Sequence, residues 1–569
     1  MMASMTRPAP PVTPAADALD ESRYLALAAR DARFDGRFFT GVTSTGIYCR
    51  PVCAVRTPRR ENCRFFTLAA QAESAGFRPC LRCRPELAPR TPAWSIQDAQ
   101  GILVREALRC LDAEGVPWEG ATRPAQGETQ GAGARDGAGP IRRVAARLGV
   151  SDRHLRRVFE AALGVSPLQY LQTRRLLAAK QLLTDTALPV TDVALASGFG
   201  SVRRFNATFT QHYGLQPSAL RRSGPAAPAI GAAGGAVRLA YRPPLDAPAL
   251  LAFFAQRRIL GMECVDPEGL ELRRTVRLHD AEGRECTGWF AARFDAGDGP
   301  RGAAPKPLVH LQVSAPLLPL LPAVIARVRG LLDLDADPEA IHAVLQADFP
   351  QGEGLRVPGA WDGFELAVRA VLGQQITVAA ARTLAQRLVE RWGEPIETPW
   401  PELARLFPSP SVLAACDGDA LGQLGIVRQR QAAILALSRA VAEGRLALHA
   451  AADVEATMAA LRDLPGIGDW TAHYIAMRAL RWPDAFPAGD VALHKALGVQ
   501  SSSRPARAAE EASQAWRPWR SYAVVRAWSG LAAAAPAAPA LPVETRPALV
   551  PTRQPPPPAA RRRPRPAVP

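Results

Sequence analysis

Five of the chain's nine cysteines fall between Cys49 and Cys83, and four of these form two close pairs. "YCRPVC" supplies Cys49 and Cys53 as C-x3-C; after a gap of 26 residues, "RPCLRC" supplies Cys80 and Cys83 as C-x2-C. Two such pairs flanking a short folded segment have the spacing of a tetrahedral four-thiolate zinc site, so Zn2+ is the expected cofactor. Zinc keeps its thiolates deprotonated at neutral pH, and a thiolate is the species that attacks an alkyl carbon. Between Cys49 and Arg90 nine Lys/Arg stand against three Asp/Glu, so the site is expected to face DNA.

A second constellation lies near the other end. "LPGIGDWTAHYIAMRAL" (464–480) places Pro465, Gly466 and Gly468 just before a helix carrying Trp470 and Tyr474. A bare turn needs one glycine; a loop that presses several backbone N–H groups against a phosphate needs several small residues. Asp490, in "FPAGDVALHKAL", stands 24 residues after Gly466 at the start of the next helix. Alone it reads as an N-cap, and an N-cap can also be catalytic. Trp470 and Tyr474 are i, i+4 and so share one helical face.

A third set is basic. "IRRVAARLGVSDRHLRRVF" puts Ile141, Val144, Ala145 and Leu148 on one face, then a Gly-Val-Ser turn, then a helix capped by Ser151 with Arg153, Arg156 and Arg157 outward. "VTDVALASGFGSVRRFNATFTQHYG" repeats the pattern, with Val190, Val193 and Ala194 inward and Arg203, Arg204 and Asn206 outward. Across 141–222 thirteen Lys/Arg face four Asp/Glu.

These sites must be carried by several domains, because 569 residues exceed one core. The formal charge of +16 agrees with a polyanionic partner. No run reaches the roughly 18 apolar residues of a membrane span, so a cytoplasmic, non-membrane protein is expected. Composition divides the chain into a disordered 1–20, a compact 21–90, a helical 94–222 with a flexible insertion at 113–140, and a linker at 223–236. Mixed strands and helices follow over 237–320, helices over 321–530, and an Ala/Pro/Arg tail without fold over 531–569.

The stretch "DGRFFTGVTSTGIYCRPVCAVRTPRRENCRFF", continued by "AGFRPCLRCRPE", closely resembles the N-terminal domain of the Ada adaptive-response family. That resemblance implies that Cys49, bound with Cys53, Cys80 and Cys83 to zinc, accepts a methyl group from a methylphosphotriester in DNA, while Cys63 is packed. Four thiolates around Zn2+ sum to −2 and methylating one leaves −1, so the modified domain should hold DNA better. The tandem helix pairs, joined by a long helix and followed by "GLQPSALR", resemble the AraC-type DNA-binding domain. "LPGIGDW" resembles a helix-hairpin-helix, which grips phosphate without reading sequence. With "AVLGQQITVAAARTLAQRL" upstream and "WRPWRSYA" downstream, 237–530 resembles AlkA-type 3-methyladenine DNA glycosylases.

The fold class these resemblances imply is multidomain and mainly α. It comprises a small α/β zinc domain, an all-α double helix-turn-helix, an α+β glycosylase N-domain and an all-α helix-hairpin-helix domain. The implied function joins a methylphosphotriester-sensing, sequence-specific transcriptional activator to excision of alkylated purines such as 3-methyladenine, with Asp490 stabilising the oxocarbenium-like sugar and orienting water while Trp470 and Tyr474 hold the cationic base. Lyase relatives carry a lysine at the position of Trp470, so a monofunctional, water-using enzyme is expected. No cysteine lies beyond Cys416, which argues against a four-cysteine iron–sulfur cluster. Gln375, in "GQQIT", stands where the family can carry an apolar wedge, and the aromatic that the family can place beyond "SYAVVRAW" is not evident after Trp528. Expected partners are double-stranded DNA, both alkylated and promoter, and RNA polymerase, bound by a monomer. Two other readings compete: a methylation-responsive activator with a vestigial glycosylase, and a zinc hydrolase. The retained Gly466, Gly468, Trp470, Tyr474 and Asp490 oppose the first; four thiolates, which leave no open metal position, oppose the second.

Overall fold

The computed structural model describes residues 14–89, 140–186, 188–223, 235–280, 283–295 and 306–534, with positions 103, 104, 106–108, 110 and 111. Helix Pro14–Ala29 comes first. It begins inside the segment 1–20 that composition assigned no fold, and so corrects that expectation from Pro14 onward. Alanine is the best helix former, and the helix is anchored by buried Ala26 and Leu27 and by Tyr24 Oη, which donates to Pro58 O at 3.1 Å.

Strands β1 (Phe39–Val42), β2 (Ile47–Cys49), β3 (Cys63–Phe66) and β4 (Arg78–Pro79) form a sheet in the order β3-β1-β2-β4. The parallel pair β2/β4 sets Tyr48 opposite Pro79, and the Cys80 amide donates to Tyr48 O at 3.0 Å. This register brings Cys49 and Cys80 out side by side.

Helices Pro140–Arg147 and Asp152–Leu163 form the first basic pair, and Val190–Ala196 and Val202–Tyr213 the second; Pro167–Asp185 joins them and Pro217–Ser223 follows. Ile141, Val144 and Ala145 pack against Leu155, Val158 and Phe159, and Ala70 of the zinc domain enters the same core. Of the segment expected to be helical over 94–112, the described positions from 103 to 111 are helical and bury Val104, Ala107 and Leu111 in this core. The insertion up to residue 139 and the linker residues 224–234 lie outside the described residues.

The next sheet is antiparallel throughout, with β5 (Gly235–Ala240), β6 (Glu263–Asp266), β7 (Glu271–His279), β8 (Glu285–Phe294) and β9 (Leu308–Val313) in the order β5-β9-β8-β7-β6. Val193, Phe205 and Phe209 of the second basic pair share one apolar core with Val237, Phe290 and Leu311 of this sheet. Helix Leu321–Leu331 also buries Leu321, Val324 and Val328 there, so it packs with the sheet and not with the helices that follow. Those helices, from Gly363–Leu372 to Arg520–Ala534, surround a separate core that includes Val368, Leu388, Ile434, Leu461, Ile475 and Val524. The last helix continues to Ala534, past the boundary expected at 531; the tail beyond it lies outside the described residues.

A buried charge network ties sheet to helices. Arg274 Nη1 on β7 donates to Glu263 at 2.9 Å and Nη2 to Glu365, while Arg369 Nη1 reaches Glu365 at 2.7 Å and Glu263 at 3.1 Å. Burial alone would push the Glu263 carboxyl up, but Arg369 and Arg274 together hold it below the ordinary carboxylate range. Its contribution to stability is therefore present above about pH 4.3, the unfolded value, and is lost as pH falls through the lower folded value. Breaking a buried pair from one side costs about 3–5 kcal/mol because the partner charge stays buried. Glu365→Gln should lower stability by about that amount in urea denaturation at neutral pH; a loss below about 1 kcal/mol would mean that the network tolerates one missing charge.

Candidate functional site

The four paired cysteines converge as their spacing requires. One Sγ from each of Cys49, Cys53, Cys80 and Cys83 lies within 4.8 Å of the others. Tetrahedral zinc with Zn–S bonds of about 2.3 Å places sulfurs about 3.8 Å apart, so the cluster fits the ion. Cys49, Cys53 and Cys80 are buried and Cys83 is half-buried, with Ile47 and Val55 packed beside them. The Arg50 amide points at Cys83 Sγ at 3.3 Å, and its guanidinium donates to Cys83 O at 3.0 Å. Cys63 lies apart on β3, with its Sγ donating to Arg59 O at 3.3 Å.

Both basic pairs present a capped second helix. Ser151 Oγ accepts from the His154 amide and Ser201 Oγ from the Arg204 amide, each at 3.2 Å. Arg153, Arg156, Arg157, Arg203 and Arg204 are exposed, and Asn206 is half-buried. Arg156 pairs with Asp152 at 3.0 Å and Arg157 lies 3.3 Å from the His154 ring. Arg153, Arg203 and Arg204 carry no such side-chain pairing among the interactions described.

The glycine loop leads into helix Asp469–Arg478. Gly466 has φ +77°, which L side chains rarely adopt, and a Cβ there would sit 3.3 Å from Gln429 O. Gly468 is extended and a Cβ would meet nothing within 4 Å, so this side of the loop is open. Ile467 plugs the loop into the core. Gln374 Nε2 donates to Gly466 O at 2.8 Å and to Thr471 Oγ1 at 3.0 Å, while Arg430 holds Gln374 O. Its neighbour Gln375 is exposed with φ +54°, at the tip between helices Gly363–Leu372 and Val378–Trp392.

Asp490 does two jobs at once. Oδ1 caps helix Val491–Ala496 by accepting from the Leu493 amide at 2.7 Å, and Oδ2 accepts from Trp470 Nε1 at 2.9 Å. Trp528 Nε1 adds a donor to Oδ1 at 3.2 Å. Trp470 and Tyr474 stack with ring centroids 5.3 Å apart and planes 12° from parallel, and Trp528 lies 6.4 Å from Tyr474. Burial pushes the Tyr474 phenol up, but Arg478 and Arg257 more than offset this and leave it below its usual value. The Arg478 guanidinium donates to Tyr474 Oη at 2.6 Å.

Sequence reasoning missed Gln374 and the role of Trp528. Trp528, the final residue of "SYAVVRAW", itself faces the carboxylate and lies beside Tyr474. Only the demand of a buried carboxylate for further donors could have pointed to it.

Four segments match known families. Residues 22–86 match the metal binding domain of Ada, 144–223 a helix-turn-helix domain, 236–362 the AlkA N-terminal domain, and 368–521 the HhH-GPD superfamily of base excision DNA repair proteins. The chain is 37% identical over 498 residues to a probable bifunctional transcriptional activator/DNA repair enzyme AlkA of Mycobacterium tuberculosis, covering 85% of this chain and 91% of that one. It is 33% identical over 253 residues to DNA-3-methyladenine glycosylase 2 of Escherichia coli, covering 44% of this chain and 82% of the relative. Similarity to the bifunctional transcriptional activator/DNA repair enzyme Ada of Escherichia coli is 29% over 205 residues, or 36% of this chain and half of the relative.

Trp528→Phe keeps an aromatic face beside Tyr474 but deletes the N–H that Asp490 accepts. A hydrogen bond to a charged group is worth about 1.5–3 kcal/mol, so base release should fall by about tenfold or more with the fold intact. Unchanged single-turnover rates with unchanged circular dichroism would show that this donor is dispensable.

Proposed function

This chain belongs to the family of bifunctional transcriptional activator/DNA repair enzymes, and on that premise we propose how its sites divide the work. The C-terminal helical part is a DNA glycosylase, and its substrate class is alkylated purines such as 3-methyladenine. The observation that carries this reading is Asp490, fixed by two indole N–H groups beside the stacked rings of Trp470 and Tyr474.

Gly466 and Gly468 present backbone amides to a phosphate, and Gln375 stands at the tip beside them, where the duplex would lie. The flipped base, cationic when alkylated, is held against aromatic faces. Its charge makes it a good leaving group, so the enzyme needs little acid help. Charge then develops on the sugar, and the Asp490 carboxylate stabilises it. Three N–H donors occupy three of the roughly four acceptor positions of that carboxylate, leaving one lone pair to orient water. Trp470 occupies the place where a lyase amine would stand, which supports a monofunctional hydrolysis that leaves an abasic strand.

In the N-terminal domain the four cysteines bind Zn2+, which keeps all four as thiolates. Cys49 is the proposed acceptor: its sulfur forms a bond to the methyl carbon of a methylphosphotriester, and the C–O electron pair leaves with the phosphodiester. The thioether is not turned over, so one chain accepts one methyl. Arg153, Arg156, Arg157, Arg203, Arg204 and Asn206 are the proposed promoter-facing residues. Two helix-turn-helix units in one chain supply two half-site readers, which supports action as a monomer. RNA polymerase is the partner this reading gives an activator, and a promoter-bound repair enzyme works in the cytoplasm.

Asp490→Asn should reduce release of 3-methyladenine by about 100-fold or more while DNA affinity stays within a few-fold. The wild-type product should be an unbroken abasic strand with no borohydride-trapped adduct. Full activity of the variant would reduce Asp490 to a helix cap. Separately, mass spectrometry after incubation with methylphosphotriester DNA should show one methyl on the peptide containing Cys49, in wild type and in Cys63→Ala alike. A methyl found only on Cys63 or Cys110 would overturn the acceptor assignment.

A further inference from the structure

Arg242, just after β5, is fully buried, and its guanidinium serves backbone from two domains. Nε donates to Asp35 O at 2.8 Å and Nη2 to Pro89 O at 3.2 Å, both in the zinc domain. Nη1 donates to Asp335 O at 2.8 Å and Ala336 O at 3.1 Å, on the loop before helix Pro338–Leu345. Beside these contacts Arg37 pairs with Asp337, and with Glu339 at 2.8 Å. Residues 35–37 are thus a strap laid between the two domains. Gly36 has φ +75°, and a Cβ there would fall 2.0 Å from Pro89 O, so the strap closes only on glycine.

Each end of the strap leads to a site. On one side the Asp35 carboxylate holds the Arg50 guanidinium, with Nε to Oδ1 at 2.8 Å, and that guanidinium also grips Cys83 O in the four-cysteine cluster. On the other side Arg329 Nε donates to the Asp335 carboxylate at 3.0 Å, and Asp333 accepts from Tyr522 Oη at 2.8 Å and from the Val357 amide at 3.3 Å. Arg478 then donates to Pro358 O at 2.7 Å and Gly359 O at 3.1 Å, and the same guanidinium reaches Tyr474 in the base pocket. Asp35, Arg50, Arg329, Asp333, Asp335 and Arg478 are buried and hydrogen-bonded along this route, so disturbing one leaves its neighbour short of a partner.

We propose that the Asp35–Arg37 strap and Arg242 couple the two sites, so that the methylation state of Cys49 sets glycosylase efficiency. This rests on the reading of Cys49 as methyl acceptor. Converting one thiolate to a thioether removes a negative charge beside Arg50, whose attraction to the cluster weakens. The anchor of the strap on the zinc domain loosens, and with it the packing of 333–359 that holds Arg478 against Tyr474. Couplings between sites typically run from about 5-fold to 150-fold, and so long a chain of contacts belongs at the lower end.

The test uses the full-length protein, unmethylated or methylated on methylphosphotriester DNA, with intact and peptide mass reporting the methyl on Cys49. Base release from a short alkylated duplex and hydrogen exchange of the peptides spanning 333–339 and 356–360 are then compared. The methylated form should show kcat/KM about fivefold lower and faster exchange in both peptides. Arg242→Gln should abolish the difference; if it folds poorly, Arg37→Gln on the half-exposed rim of the strap should at least halve it. Equal kcat/KM in the two forms overturns the coupling whatever the exchange shows, as does a difference undiminished in Arg37→Gln. A protein that takes no methyl on Cys49 overturns the acceptor reading, and the coupling with it.

Discussion

One buried carboxylate organises the C-terminal half of this molecule. Asp490 takes N–H donors from the helix that follows the glycine loop, from its own helix and from the last helix, and these three elements meet at its two oxygens. An ionised carboxylate in such a place is tolerated only when paired or hydrogen-bonded. The donors therefore fix where the charge stands and how Trp470 and Trp528 are turned. Since Trp470 stands in the first turn of the helix behind the loop, the same bond ties the glycine loop to the helix that Asp490 caps. Gln374 completes the arrangement by tying Gly466 to Thr471.

The N-terminal half depends on a different constraint, the register of two short parallel strands. With Tyr48 opposite Pro79, Cys49 and Cys80 emerge together, and tight turns bring Cys53 and Cys83 back to them. The halves are not loosely strung. The second basic helix pair shares its core with the β5–β9 sheet, and the first shares its core with Ala70 of the zinc domain. A bifunctional transcriptional activator/DNA repair enzyme thus keeps its metal-binding domain, its helix-turn-helix pairs and its repair domains packed against one another.

Much of this was legible because the signals are local. Cysteine spacing, serine caps at Ser151 and Ser201, the left-handed Gly466 and the i, i+4 rings of Trp470 and Tyr474 all arise from short-range geometry. What escaped depends on residues far apart in the chain. Trp528 is 38 residues from Asp490, and Gln374 is 92 from Gly466; no periodicity links such pairs. The hydrogen bonds described above for Arg242 go to carbonyls, which every residue carries, so no side-chain motif marks those partners in the sequence. Helix Leu321–Leu331 is apolar enough to suit either core, and packing alone assigns it to the sheet. The start of helix Pro14–Ala29 was hidden by composition, since Ala and Pro together read as unfolded while the alanines favour helix.

The central claim is electrostatic: a fixed negative charge at Asp490 is aimed at a sugar that becomes positive. It is tested most directly by binding, free of any turnover, to two duplexes that differ in one nucleotide. One carries a cationic pyrrolidine in place of the deoxyribose and the other a neutral tetrahydrofuran. The wild-type protein should prefer the cationic duplex by about tenfold or more, and Asp490→Asn should bind the two alike. A preference for the cation that survives intact in Asp490→Asn would contradict the account.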